Sequence, residues 1–144
     1  MVHNISAIAH WALKVPDLDR TLAFYRDKLG FPEMLRLTLD NGQLLVYLRI
    51  TDTQFVEIFP NGKGNEAPDE ATTAVNHICL QVPDIDKMIA HLEAQGIPIW
   101  RPKKLGLDGN LQCWVRDPDG NRIEFMQMLP GNMQEKAIAR LSSS

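Results

Sequence analysis

Four residues of metal-ligand type recur at one fixed interval. His10 opens His10-Trp11-Ala12-Leu13-Lys14-Val15-Pro16-Asp17, and 67 positions later His77 opens His77-Ile78-Cys79-Leu80-Gln81-Val82-Pro83-Asp84. Glu57, within Phe55-Val56-Glu57-Ile58-Phe59, is answered at the same interval by Glu124, within Arg122-Ile123-Glu124-Phe125-Met126. Two imidazoles and two carboxylates make a borderline-hard donor set for Ni, Co, Mn, Fe or Zn. Structural zinc prefers thiolates, so this set suits an open site that keeps water positions. A cation held there polarises two oxygens of a substrate and supports an enediolate, while a neighbouring carboxylate carries a proton between carbons. Taken singly, a His at a strand start or a Glu in an apolar strand is more often structural. Both pairs falling at one repeat interval is what favours ligation.

Other side chains offer weaker signals. Lys14 shares a strand face with His10 and is a candidate for a substrate anion. Trp114 and Arg116 alternate on one strand and are candidates to line a groove, against core packing for the first and plain surface charge for the second. Met126 and Met128 share the Glu124 face as a candidate apolar wall. His3 and His91 have no repeat partner and read as surface residues. Cys79 and Cys113 read as reduced, buried small residues rather than a disulfide.

The elements that must position these residues also come twice. Ile5 to Val15 reads as a strand closed by Pro16. Asp17 caps a helix with Leu18, Leu22, Tyr25 and Leu29 on its buried stripe, which Gly30 stops. Strands follow at Met34 to Leu39, Leu44 to Ile50 and Gln54 to Phe59, with Asp40-Asn41-Gly42 as a hairpin turn. A polar loop from Pro60 to Asp69 separates the copies. The second copy repeats the order: strand Val75 to Val82, a helix from Pro83-Asp84 to Gly96 with Ile85, Ile89 and Leu92 inward, then strands Ile97 to Trp100, Leu111 to Val115 and Arg122 to Leu129. Asp117-Pro118-Asp119-Gly120-Asn121 turns into the last of these. Each copy reads β-α-β-β-β. Asn132-Met133-Gln134-Glu135 resembles a capping-box start for a terminal helix resting on Ala137 and Leu141, with Ser142 to Ser144 fraying.

Bulk properties exclude several classes. A formal charge of −3 gives no basic field for nucleic acid. No apolar run approaches the ~18 residues of a membrane span. The start Met1-Val2-His3-Asn4-Ile5-Ser6 lacks the basic and apolar regions of a signal peptide, so the expected compartment is the cytoplasm.

Most of residues 8–128 resembles the vicinal oxygen chelate superfamily, and within it the glyoxalase I (lactoylglutathione lyase) group. The likeness lies in HWALKVPDLDRTLAFYRDKLGF, VEIFPN, NHICLQVPDID and RDPDGNRIEF. It implies an α+β fold of two tandem βαβββ modules (5–60 and 74–129) in one domain spanning 1–144, with the terminal helix at 132–141. It implies one divalent ion per site on His10, Glu57, His77 and Glu124, Ni or Co being favoured and Zn, Mn or Fe being the other candidates. Glu124, with Glu57 opposite, would be the proton-transferring base. The implied reaction converts a hemithioacetal of methylglyoxal to a lactoylthioester, in a homodimer whose chains each give one module to each site. Asn61, four residues after Glu57, matches a glutathione-contacting Asn. Three features depart from the pattern: Lys14 stands where relatives carry Arg, Lys104 to Leu111 lacks a Lys-Gly-Gly run, and Asn121 replaces an aromatic. The same shell also suits an epimerase, a thiol transferase or a dioxygenase acting on another oxygen-chelating substrate. A small-molecule-binding resistance protein is the non-enzymatic alternative, which the intact His2Glu2 set disfavours.

Overall fold

The structure is a computed structural model that describes residues 4–64 and 66–142. The expectations for His3 and for fraying at Ser143 and Ser144, and Asn65 within the loop between the copies, fall outside those residues. The chain divides into two compact units, Met1–Asn65 and Glu66–Ser144.

The first unit is a four-stranded mixed sheet in the order β1-β4-β3-β2, built from β1 (His10–Lys14), β2 (Glu33–Thr38), β3 (Leu44–Arg49) and β4 (Phe55–Phe59). β1 lies parallel to β4, and the other pairs are antiparallel. The helix after β1 starts as expected: Asp17 accepts from the Arg20 N–H at 3.0 Å, satisfying one orphan donor of the first turn. Its first part, α1 (Leu18–Leu22), widens into a π-helical segment, Ala23–Lys28. The Leu29 N–H reaches back to the Phe24 carbonyl at 2.9 Å, a five-residue step. Leu22, Tyr25 and Leu29 are buried as the stripe requires, and Gly30 ends the helix at φ 82°. Val46, Leu48, Val56 and Ile58 form the core with them.

The second unit repeats the plan in the order β5-β8-β7-β6. Its strands are β5 (Ile78–Gln81), β6 (Arg101–Leu105), β7 (Leu111–Arg116) and β8 (Arg122–Gln127). β5 is parallel to β8, and the rest are antiparallel. Asp84 caps α2 (Ile85–Ala94) by accepting from the Asp86 and Lys87 N–H groups. Ile85 and Leu92 are fully buried beside Cys113, Val115, Ile123 and Phe125. The turn before β8 closes on Asp117, whose carboxylate accepts from the Asp119 and Asn121 backbones, with Gly120 at φ 83°.

Several boundaries differ from expectation. β1 begins at His10 rather than Ile5 because its partner β4 is five residues long, which leaves residues 5–9 outside the sheet with Ile5 and Ile8 exposed. β5 likewise starts at Ile78 rather than Val75, and β8 ends at Gln127 rather than Leu129. The expected strand Ile97 to Trp100 is not formed. The strand is Arg101–Leu105, a polar edge strand whose register slips between Arg101 and Lys104, around Pro102. Cys113 is buried, but Cys79 is exposed, and both are free thiols. α3 (Met133–Ser142) buries none of its residues, so the expected contact through Leu141 is replaced by an exposed apolar row of Met133, Ile138 and Leu141. Its cap is also altered: Asn132 accepts from the Glu135 N–H, whereas Glu135 reaches back to the Gly131 N–H rather than to that of Asn132. Among the described residues, no helix is long and apolar enough to cross a membrane.

Candidate active site

In the second unit α2 packs on β7 and β8, and in both units the predicted carboxylate ligands alternate with the buried apolar residues of β4 and β8 and so stand on the opposite face of the sheet. The β4 register pairs Glu57 with Ala12 of β1 and Tyr47 of β3, so period-two alternation puts His10, Ala12, Tyr47 and Glu57 on one face. His10 Nε2 lies 3.6 Å from Glu57 Oε1. The imidazole stacks on Phe55 with centroids 5.1 Å apart. The Tyr47 hydroxyl is held protonated above its ordinary range, first by burial and then by the Glu57 carboxylate.

The second unit holds the equivalent pair more tightly. Glu124 is buried on β8, between Cys79 of β5 and Trp114 of β7 in the sheet register. His77 Nε2 lies 3.2 Å from Glu124 Oε2. The His77 and Trp114 rings pack in a T-shaped arrangement with centroids 4.6 Å apart, while the indole N–H donates to Gln112 Oε1 at 2.8 Å. Although the residue as a whole is exposed, the packing around its sulfur strips enough solvent to push the Cys79 thiol up to about 12, and the Glu124 charge adds to it. His77 Nδ1 faces Asn76 Oδ1 at 2.7 Å. Arg122, itself buried, donates to the carbonyls of Asn76 at 2.6 Å and Pro68 at 2.8 Å.

The sequence-predicted residues are therefore gathered as two His–Glu pairs. Among the described residues, no group of three or more His, Cys, Asp or Glu side chains forms a cluster able to hold a metal. Trp114 sits directly against its His–Glu pair. Arg116 is exposed on the same face, its guanidinium 4.0 Å over the Trp100 ring. The Arg101 guanidinium also lies 4.1 Å over that ring and is bound to both oxygens of Glu70 at 2.8 Å. Lys14 is exposed on the His10 face. Asn61 is exposed just beyond β4, with φ 62°. A separate groove of about 460 Å³ along α2 is lined by Val82, Asp84, Lys87, Met88 and His91 and contains none of the predicted site residues.

Sequence reasoning missed Asn76, Arg122, Tyr47 and Phe55. A signal for them was present in the repeat interval. Asn76 and Arg122 occupy the positions that Ala9 and Phe55 hold in the first copy, and Tyr47 occupies that of Trp114. Looking for sameness between the copies picks out the two His–Glu pairs, whereas the differences mark what surrounds them.

Comparison with known proteins gives one family and consistent relatives. Residues 7–125 match the Glyoxalase/Bleomycin resistance protein/Dioxygenase superfamily. A lactoylglutathione lyase of Haemophilus influenzae is 30% identical over 135 residues, spanning 83% of this chain and 91% of that protein. The mitochondrial methylmalonyl-CoA epimerase of Homo sapiens is 26% identical, spanning 88% of this chain and 76% of its own. Among solved structures, a glyoxalase family protein from Enterococcus faecalis superposes with a TM-score of 0.75 at 26% identity, over 88% of this chain and 99% of that one.

Proposed function

The chain belongs to the glyoxalase/bleomycin resistance protein/dioxygenase superfamily, and from that premise we propose that it is a metal-dependent lyase of glyoxalase I type. The substrate is a hemithioacetal of methylglyoxal, and the product is a lactoylthioester. The observation that carries this reading is the duplicated His–Glu pair at equivalent strand positions, each imidazole presenting Nε2 to a carboxylate oxygen at 3.6 or 3.2 Å. Bonds of ~2.1 Å to a divalent ion place neighbouring donors about 3.0 Å apart in an octahedron and about 3.4 Å apart in a tetrahedron, so both pairs have a spacing that suits one edge of such a shell. His10, Glu57, His77 and Glu124 would hold the ion, with Ni or Co favoured and Zn, Mn or Fe as alternatives. When bound, it supplies stabilisation of negative charge on two adjacent substrate oxygens.

The proton transfer falls to the chain. Glu124 takes the proton from the thiol-bearing carbon and returns it to the adjacent carbonyl carbon, while the hydroxyl proton passes from the first oxygen to the second, so atoms balance without a co-reactant. Its burial beside Trp114 and the Cys79 thiol keeps water from exchanging with the proton in transit. Trp114 forms an apolar wall, while Lys14, Asn61 and Arg116 are the candidates to bind the polar remainder of the thiol. A homodimer is supported by exposed apolar side chains on Met34, Leu35 and Leu37 of β2 and on Met133, Ile138 and Leu141 of α3.

The test is turnover of the methylglyoxal–glutathione hemithioacetal by metal-free protein reconstituted separately with Ni, Co, Mn and Zn. Metal-dependent turnover is expected, and Glu124→Gln is expected to lower it by at least ~100-fold while metal still binds. Unchanged activity in that variant would remove Glu124 from the mechanism. Lys14 in place of Arg, and Asn121 in place of an aromatic, weigh against glutathione, and the likeness to a methylmalonyl-CoA epimerase supports one second reading: an epimerase acting on a thioester. That reading predicts solvent deuterium entering the α-carbon of methylmalonyl-CoA and no turnover of the hemithioacetal.

A further inference from the structure

The two imidazoles are held by different physics. His10 follows Ala9 and lies flat on Phe55, at an interplanar angle of 19°, a contact that restrains the plane of the ring but does not discriminate between its two nitrogens. In the second copy both of those neighbours are replaced, Ala9 by Asn76 and Phe55 by Arg122. The replacements act together. Arg122 grips the Asn76 carbonyl at 2.6 Å and that of Pro68 at 2.8 Å, which fixes the backbone just before His77. The Asn76 side chain then sets Oδ1 2.7 Å from His77 Nδ1. A carboxamide oxygen only accepts, so the hydrogen in that bond belongs to Nδ1. In the neutral ring Nε2 is then left with its lone pair, beside Glu124 Oε2 at 3.2 Å. Two acceptors face one another there, an arrangement that a cation relieves.

We infer that Asn76 is a positioning residue that locks His77 in the Nδ1–H tautomer, making the His77–Glu124 pair a half-site formed in advance for a divalent cation, whereas His10 has no such lock. The inference rests on the metal-dependent reading above, and it assigns unequal roles to ligands that the repeat makes look equivalent. Outer hydrogen bonds of this type fix the tautomer and orientation of a ligating imidazole, and their loss weakens metal binding by roughly 10- to 100-fold.

The experiment is long-range ¹⁵N–¹H correlation NMR on metal-free, ¹⁵N-labelled protein at a pH where the rings are neutral, with His77 assigned by the loss of its signals in His77→Gln. The expected result is Nδ1–H at His77 in the wild-type protein, a move toward the Nε2–H form that free imidazole favours in Asn76→Ala, and return of Nδ1–H in Asn76→Asp, which restores an acceptor. Chelator competition with Ni²⁺ should show ~10- to 100-fold weaker binding by Asn76→Ala. Asn76 is exposed, and an unchanged melting temperature would confirm that the variant is folded. A wild-type His77 carrying its proton on Nε2 and donating to Glu124 would overturn the inference, as would an Asn76→Ala variant with the tautomer unmoved. Failure of the hemithioacetal assay alone would instead remove the functional reading and leave the inference standing, whereas wild-type protein that binds no Ni²⁺ would overturn the half-site as well.

Discussion

Asn61 meets two demands that one substitution can separate. Its backbone is left-handed at φ 62°, where Asn is among the few residues other than Gly that sit without much strain. The next residue, Gly62, donates to the Val15 carbonyl at 2.8 Å, and a Cβ there would meet the Val15 carbonyl carbon at 3.0 Å, so the chain after β4 needs both its turn and its close approach to β1. The conformational role and the substrate-binding role proposed above would therefore coincide at Asn61. Replacement by Gly keeps the backbone and removes the carboxamide. If Asn61 binds the thiol portion of the substrate, Asn61→Gly raises KM several-fold with the melting temperature unchanged. Asn61→Ala also costs about 1 kcal/mol of stability from the strained backbone. A KM unaltered in Asn61→Gly would leave the residue with only its conformational role.

At the scale of elements, the polar stretch between β6 and β7 is an anchor for α3. Asn110 is fully buried and satisfied on every side: its amide donates to Asp108 Oδ2 and Gln134 Oε1, each at 3.0 Å, and its oxygen accepts from the Leu129 N–H at 3.0 Å. Asp108 also accepts from Gln134 Nε2 at 2.6 Å, and its backbone carbonyl takes the Met133 N–H. With no buried apolar face of its own, α3 depends on these bonds. Asn110→Ala strands the Leu129 donor and should lower unfolding free energy by about 1–3 kcal/mol in urea denaturation. The hydrogen bonds from Gln134 and then Asn110 hold the Asp108 carboxyl below its ordinary value. A lowered folded-state value means the carboxylate's contribution is fully present above the unfolded value, near ~3.9, and is lost as pH falls through the lower folded one. The melting-temperature gap between wild type and Asp108→Asn should therefore be constant near neutrality and narrow below about pH 4. A gap independent of pH would show that the charge plays no part. None of this was legible from Leu107-Asp108-Gly109-Asn110, because the partners lie 19 to 26 residues away in sequence. β6 was hidden for the opposite reason: Arg101-Pro102-Lys103-Lys104 looks like a loop, yet polar residues and a proline are what an exposed edge strand accommodates.

For the whole molecule, the interval of 67 residues carried most of what could be read in advance. It located both βαβββ units, the open face of each sheet and the two His–Glu pairs, since a repeated register forces repeated side-chain directions. It carried less about the surroundings. The π-helical widening at Ala23–Lys28 leaves no mark on the spacing of Leu22, Tyr25 and Leu29, and Cys79 sits in an apolar alternation yet lies on the open face with Glu124. Each unit holds one imidazole and one carboxylate of the proposed set, so the four-donor site proposed above would draw on two units, taken either from one chain or from two copies. A mixing experiment distinguishes these cases. His10→Ala and His77→Ala are each expected to be inactive alone. If each site takes one unit from each chain of a homodimer, a mixed dimer of the two variants contains one doubly damaged site and one intact site. Random reassociation of an equal mixture makes half the dimers mixed, so activity should recover to about a quarter of the wild-type level. If both units of a site come from the same chain, every site in the mixture keeps one damaged ligand and no activity returns. Recovery is the outcome expected here, and light scattering of the same samples would establish that the mixed species is a dimer.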